Sequence, residues 1–127
     1  MPAWCAKQYP DTLALQKDGT RITWGIRKNN CFSNKKYRSL SKKITTAMAD
    51  RFAHNKNVIG WQTDNEFGHP FCYCADCKTE FQLWLKDKYE SLQELNRAWG
   101  THFWNQQFSE WDEITIPMAP SLYTAEQ

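Results

Sequence analysis

Residues 58–68 have the sequence VIGWQTDNEFG, an apolar run that ends in Asp64, Asn65 and Glu66. A short apolar run bounded by polar and turn residues is typical of a strand buried on both faces, as in a parallel sheet covered by helices. In a barrel of parallel strands, the residues at the carboxyl ends of the strands reach the substrate. The segment therefore predicts a strand over 58–63 and makes Glu66 the first candidate for chemistry.

A group of cysteines follows this segment. Residues 72–77 have the sequence CYCADC, and together with Cys31 they bring four of the five cysteines into one candidate ligand set: Cys31, Cys72, Cys74 and Cys77. Four thiolates suit one tetrahedral zinc ion at S–Zn distances of about 2.3 Å. Such an ion would be structural, because no position is left for water. Ordinary reduced cysteines, or one disulfide in an exported protein, remain the alternatives.

Length and composition narrow the class of protein. The 127 residues are enough for one ordinary domain, but a complete (β/α)8 barrel needs about 250. The net charge of +2, with acids and bases interspersed, indicates neither nucleic acid nor a membrane surface as a partner. The sequence contains no signal-peptide pattern and no run of about 20 apolar residues, so we expect a soluble cytoplasmic protein.

Three helices are predicted from local patterns. Apolar residues spaced three and four apart predict an amphipathic helix over 37–52, and a second helix is predicted over 75–90. A third begins after Ser91, where Ser91 and Glu94 could form a reciprocal capping box, and ends at Gly100. The order helix, strand, helix, helix fits part of a βα succession, so the expected fold class is α/β.

Two shorter elements are predicted near the N-terminus. Residues 4–8 favour a helical turn. Asp18 and Gly19 form a turn signal, and residues 21–27 after it alternate enough to predict a short extended segment that leads towards Cys31.

Glu66 and Asn65 suit the cleavage of a glycosidic bond. That reaction needs a carboxylic acid to protonate the departing oxygen and a second carboxylate to attack the sugar or activate water. An apolar surrounding at a strand end would keep the Glu66 carboxyl protonated near neutral pH, and the Asn65 amide could hold a sugar hydroxyl. The open alternative is that Asp64, Asn65 and Glu66 are only the start of a solvated loop.

Three motifs in combination resemble glycoside hydrolase family 42, the β-galactosidases built on a (β/α)8 barrel. They are WQTDNEFG at 61–68, CYCADC at 72–77 and LNRAWGTHFW at 95–104. The opening PAW at 2–4 and the closing WDEI at 111–114 are also similar to that family. The resemblance therefore spans nearly the whole chain.

The resemblance implies roles for individual residues. Glu66 would be the acid/base of a retaining double displacement on terminal β-D-galactosides, at the end of the fourth strand, and Asn65 the neighbouring sugar-binding residue. Arg27 would bind the galactosyl unit, and Trp104 would line the pocket, which in this often trimeric family an adjoining subunit can complete. The four cysteines of the candidate set would hold a structural zinc ion.

The sequence also departs from the family pattern. Members commonly carry an Arg, His, Tyr, Cys, Pro run at the first zinc ligand, where this chain has RKNNCF at 27–32. The family nucleophile is a Glu at the end of the seventh strand, which lies beyond this sequence. We therefore expect residues 1–127 to form part of a glycoside hydrolase catalytic domain, from about the end of the second strand to the helices after the fourth, inactive alone. The alternative is a small structural-zinc module that binds carbohydrate or protein without catalysis.

Overall fold

The computed structural model describes residues 1–25, 27–66 and 71–117. Contacts within the chain divide it into two compact units, Met1–Cys72 and Tyr73–Gln127. Residues 67–70, which include the end of the WQTDNEFG motif, lie outside the described residues. Within the described ranges, every helix is too short or too polar to cross a membrane.

The described residues of the first unit form two α-helices, both of which were predicted. Helix α1 is Ala3–Gln8, and helix α2 is Lys35–Phe52. Asn34 begins α2 by accepting a hydrogen bond from the backbone N–H of Tyr37 at 3.0 Å, which satisfies one of the donors that a helix start leaves unpaired. No residue of α2 is buried within the described structure, so its apolar stripe is exposed.

Short antiparallel pairings connect the segments between these two helices. Leu13 pairs with Asn30 and Leu15 pairs with Arg21, each as an isolated bridge. The predicted turn is present, because the Asp18 carboxylate accepts hydrogen bonds from the hydroxyl and the amide of Thr20, which lower the pKa of that carboxyl. Residues 12–16 thus lie between two partner segments.

The extended segment predicted over 21–27 is mostly wrong. Among the described residues of this segment only Arg21 joins a bridge, and the chain then turns at residues 24 and 25. Gly25 has a φ of 98°, in the left-handed region that favours glycine. Ile26 lies outside the described residues.

The predicted strand over 58–63 does not form in the structure. These residues have no regular secondary structure, and Ile59 is fully exposed. A parallel strand exists only through hydrogen bonds to neighbouring strands, and within the described part of the chain the antiparallel bridges lie elsewhere. The apolar pattern is that of a strand, but among the described residues it has no partner strand.

The second unit contains a compact apolar core. Helix α3 is Ala75–Tyr89 and helix α4 is Leu92–Trp99, and they pack against each other. Leu85, Leu95 and Ile114 are buried at the centre of this unit. Partly buried side chains surround them: Phe81, Tyr89, Leu92, Trp99, Phe108 and Trp111. Both helices were predicted.

The cap of α4 agrees with the sequence prediction in part. The Ser91 hydroxyl accepts a hydrogen bond from the Glu94 amide at 3.2 Å, and Gly100 ends the helix with a φ of 63°. The reciprocal half was wrong, because the Ser91 amide donates to the Tyr89 carbonyl and the Glu94 carboxylate pairs with Arg97. A reciprocal capping box forms instead around the 3₁₀ turn Trp111–Glu113.

We predict that Leu85→Ala destabilises the second unit far more than Leu83→Ala. Leu85 is fully buried, whereas Leu83, two residues earlier on α3, is 53% exposed. Truncating the buried leucine should lower the free energy of unfolding by about 2–5 kcal/mol, and truncating the exposed one by less than about 1 kcal/mol. Denaturant unfolding followed by circular dichroism measures both. Equal losses would contradict the assigned core.

Candidate functional site

The four predicted ligands lie together. The Sγ atoms of Cys31, Cys72, Cys74 and Cys77 are all within 4.8 Å of one another. A tetrahedral zinc ion would set its four sulfurs about 3.8 Å apart, so little movement is needed to bind one. An all-sulfur set favours zinc over magnesium or calcium, which prefer oxygen ligands. The four cysteines, hereafter the cysteine cluster, could therefore hold one metal ion.

Two members of the cluster lie at the start of α3. Cys74 is the N-cap residue, and Cys77 belongs to the first turn of this 15-residue helix. The Cys74 carbonyl accepts the hydrogen bond of the Lys78 amide at 3.0 Å, so the helix holds the backbone at these two cysteines. The helix therefore fixes the backbone positions of two of the four candidate ligands.

Arg27 and Glu66, which the sequence identified separately, are in contact. The Arg27 Nη2 atom lies 3.1 Å from Glu66 Oε2, although the residues are 39 positions apart. The two side chains are 67% and 77% exposed. The apolar surrounding expected for Glu66 is therefore absent from the described structure, and an exposed pair of this kind adds little to stability. The contact brings the two side chains that the motifs identified within hydrogen-bond reach of each other.

The backbone on both sides of this ion pair is unusual. Lys28, next to Arg27, has a φ of 54°, and Glu66 itself has a φ of 55°. Few residues other than glycine adopt these left-handed angles, which cost about 1–3 kcal/mol. Such strain is concentrated at functional sites in proteins. It marks the Arg27 and Glu66 loops as candidates on grounds independent of the sequence motif.

Asn65 is held by contacts to two neighbours. Its backbone amide donates to Asp64 Oδ1 at 2.7 Å, and its side-chain Oδ1 accepts from Gln62 Nε2 at 3.3 Å. The side-chain NH₂ group of Asn65 is the part that can donate to a ligand, because Oδ1 is only an acceptor. Gln62 had no predicted role, although its position beside the polar end of the segment was a usable signal.

Trp104 lies in the second unit on the 3₁₀ turn Phe103–Asn105. Its side chain is 72% exposed, and the Phe103 ring packs against it edge to face at 5.5 Å between centroids. An exposed indole with one covered edge can stack on a flat apolar surface such as a sugar ring.

The sequence model of glycoside hydrolase family 42, described as β-galactosidase, matches residues 1–126. A β-galactosidase of Haloferax lucentense is 46% identical over 119 residues, and one of Heyndrickxia coagulans is 41% identical over 118 residues. In both comparisons the matched residues are 91% of this chain and 18% of the relative.

Solved structures of β-galactosidases are also similar to this chain over a small part of their own length. The β-galactosidase of Bacillus circulans sp. alkalophilus matches with a TM-score of 0.84 at 40% identity, over 93% of this chain and 17% of that one. The enzyme of Halorubrum lacusprofundi matches with a TM-score of 0.85 at 39% identity, over 96% of this chain and 19% of that one. The chain thus spans less than a fifth of the length of these relatives.

We predict that the purified chain binds one Co²⁺ ion through the cysteine cluster. Cys77→Ser should weaken binding by about tenfold or more, because it replaces one of four thiolates. Cys5→Ser is the matched control, since Cys5 is buried outside the cluster, and it should leave the affinity unchanged. Titration of the sulfur-to-cobalt charge-transfer absorption measures all three proteins. Equal weakening by both substitutions would contradict the assigned ligand set.

Proposed function

Because this chain belongs to the β-galactosidases of glycoside hydrolase family 42, we propose that it forms the acid/base region of a retaining β-galactosidase, with Glu66 as the acid/base. The observation that carries the proposal is the contact between Arg27 and Glu66, 3.1 Å, beside Asn65 in the family motif. A β-galactoside is the proposed substrate.

Glu66 acts twice in the proposed reaction. In the first step its protonated carboxyl donates to the departing glycosidic oxygen, and in the second its carboxylate takes a proton from the attacking water. Arg27 holds the carboxylate in place at 3.1 Å before substrate binds. When Glu66 is protonated the ion pair weakens, which leaves the guanidinium donors available for hydroxyls of the galactosyl unit.

Asn65 and Trp104 are proposed to bind the sugar. The Asn65 NH₂ group, whose partner oxygen is held by Gln62, would donate to a sugar hydroxyl with a bond that strengthens as charge develops at the ring. Trp104, exposed on its turn, would line the pocket. In a trimeric enzyme that residue could serve an adjoining subunit.

The cysteine cluster is proposed to hold a structural zinc ion. Its all-thiolate donor set supports this assignment, since four thiolates complete a tetrahedral shell. Bound zinc would stabilise the loop that follows Glu66 without taking part in the reaction. That role is consistent with the position of Cys74 and Cys77 at the start of a helix rather than in an open cleft.

The second carboxylate is proposed to come from the seventh strand of the barrel, outside this sequence. The matched segment is only 17–19% of the relatives, and it extends over residues 1–126 here. The chain therefore contributes the acid/base, the galactosyl-binding Arg27 and the metal loop, and the remaining strands would contribute the nucleophile.

We predict that Glu66→Gln lowers kcat by about 10²- to 10⁴-fold in a complete barrel, because the amide can neither donate nor accept the catalytic proton. The protein for this test is a chimera in which residues 1–126 replace the matched segment of the Bacillus circulans enzyme. The loss in kcat/KM should be large with lactose and much smaller with a dinitrophenyl galactoside, whose leaving group departs without protonation.

Glu80→Gln on α3 is the matched control in that chimera. It makes the same chemical change on an exposed helix position and should leave kcat within about twofold. If Glu66→Gln behaved like Glu80→Gln with lactose, Glu66 would not be the acid/base. An inactive parent chimera that still binds galactose would favour the carbohydrate-binding module instead.

The 127-residue chain alone is expected to hydrolyse no galactoside, because the proposed nucleophile lies outside it. Release of nitrophenol from a chromogenic galactoside by the purified chain measures this directly. Turnover that disappears in Glu66→Gln would overturn the expectation and place a second catalytic group within these residues.

A further inference from the structure

The cysteine cluster receives a hydrogen bond from a distant part of the chain. The backbone N–H of Leu15 donates to Cys72 Sγ at 3.3 Å across 57 residues of sequence. A main-chain amide is a donor at every pH and cannot move without moving the backbone. It is therefore a hydrogen-bond donor in a fixed position at the Cys72 sulfur.

The same segment also holds a second ligand. The backbone N–H of Cys31 donates to the Thr12 carbonyl at 2.8 Å. Residues 12–15 thus contact the chain at Cys31 through one end and Cys72 through the other. Neither contact depends on a side chain of the segment.

The segment is itself rigidly placed. Thr12, Leu13 and Ala14 are buried. The Ala14 amide donates to the Asn29 carbonyl at 3.0 Å, and the Ala14 carbonyl accepts from the Ile22 amide at 2.9 Å. A buried segment with its main-chain groups paired on both sides has little freedom to shift, so the two contacts to the cysteines have defined positions.

We propose that residues 12–15 position the metal centre: the Thr12 carbonyl sets the backbone of Cys31, and the Leu15 amide orients and electronically tunes the Cys72 thiolate. This inference rests on the proposed metal site. Outer contacts of this kind orient ligands and tune the metal, and their loss lowers metal affinity by about 10- to 100-fold. A main-chain N–H to sulfur bond also withdraws electron density from the thiolate.

The test removes the amide hydrogen of Leu15 and keeps every side chain of the protein. A synthetic peptide of residues 1–30 is ligated at Cys31 to recombinant residues 31–127, which gives the whole chain with leucic acid in place of Leu15. The resulting ester keeps the leucine side chain but has no amide hydrogen. The matched control is an ester at Ala14, which loses the ordinary bond to the Asn29 carbonyl. Each variant also has one ester carbonyl, which accepts hydrogen bonds more weakly than an amide carbonyl. We therefore expect both esters to destabilise residues 12–15 to a similar extent.

Two readouts are taken on the Co²⁺-loaded proteins: the dissociation constant and the energy of the sulfur-to-cobalt charge-transfer band. The Leu15 ester should raise the dissociation constant about tenfold or more and move the band to lower energy, because a thiolate without its donor gives up an electron more easily. The Ala14 ester should leave the band in place and change the dissociation constant less than about threefold.

The outcomes distinguish a failure of the proposed positioning role from a failure of the proposed metal site. Equal affinities and equal band positions in the two esters, with a Co²⁺-binding parent chain, would overturn the positioning role and leave the metal site intact. A parent chain that binds no Co²⁺ would overturn both. A band shift confined to the Leu15 ester supports the positioning role, since loosening of the segment would not change the energy of a single sulfur.

Discussion

Four sulfur atoms within 4.8 Å of one another restrict the charge that the cysteine cluster can carry. Two thiolates at such a distance repel each other by about 3 kcal/mol or more at an effective dielectric constant of 20. Four of them therefore cannot be ionised together unless a cation lies between them. Either protons or a metal ion must balance the charge of the cluster.

The parts of the fold that the sequence predicted are those that local chemistry determines. The turn at Asp18 and the end of α4 at Gly100 depend on neighbours within four residues. The buried leucines of α3 and α4 follow from helical spacing. The strand at 58–63 was wrong because a parallel strand depends on partners far away in sequence.

In the candidate site, too, local features could be predicted from the sequence and contacts between distant residues could not. Its residue types were visible in the motifs, but the ion pair between Arg27 and Glu66 joins residues 39 positions apart, and no spacing rule predicts it. The Leu15 contact to Cys72 could not be predicted from the sequence for a different reason. It uses a backbone amide, which every residue except proline carries, so the side chain at position 15 leaves no signal of it.

If Glu66 is the acid/base of a retaining reaction, trapping that reaction at its second step gives the most direct test. In the Glu66→Gln chimera supplied with dinitrophenyl galactoside and azide, a small anion can take the galactosyl group without a base. We expect β-galactosyl azide from this variant and little or none from the parent. Formation of the α-azide, or no azide product in the variant, would contradict it.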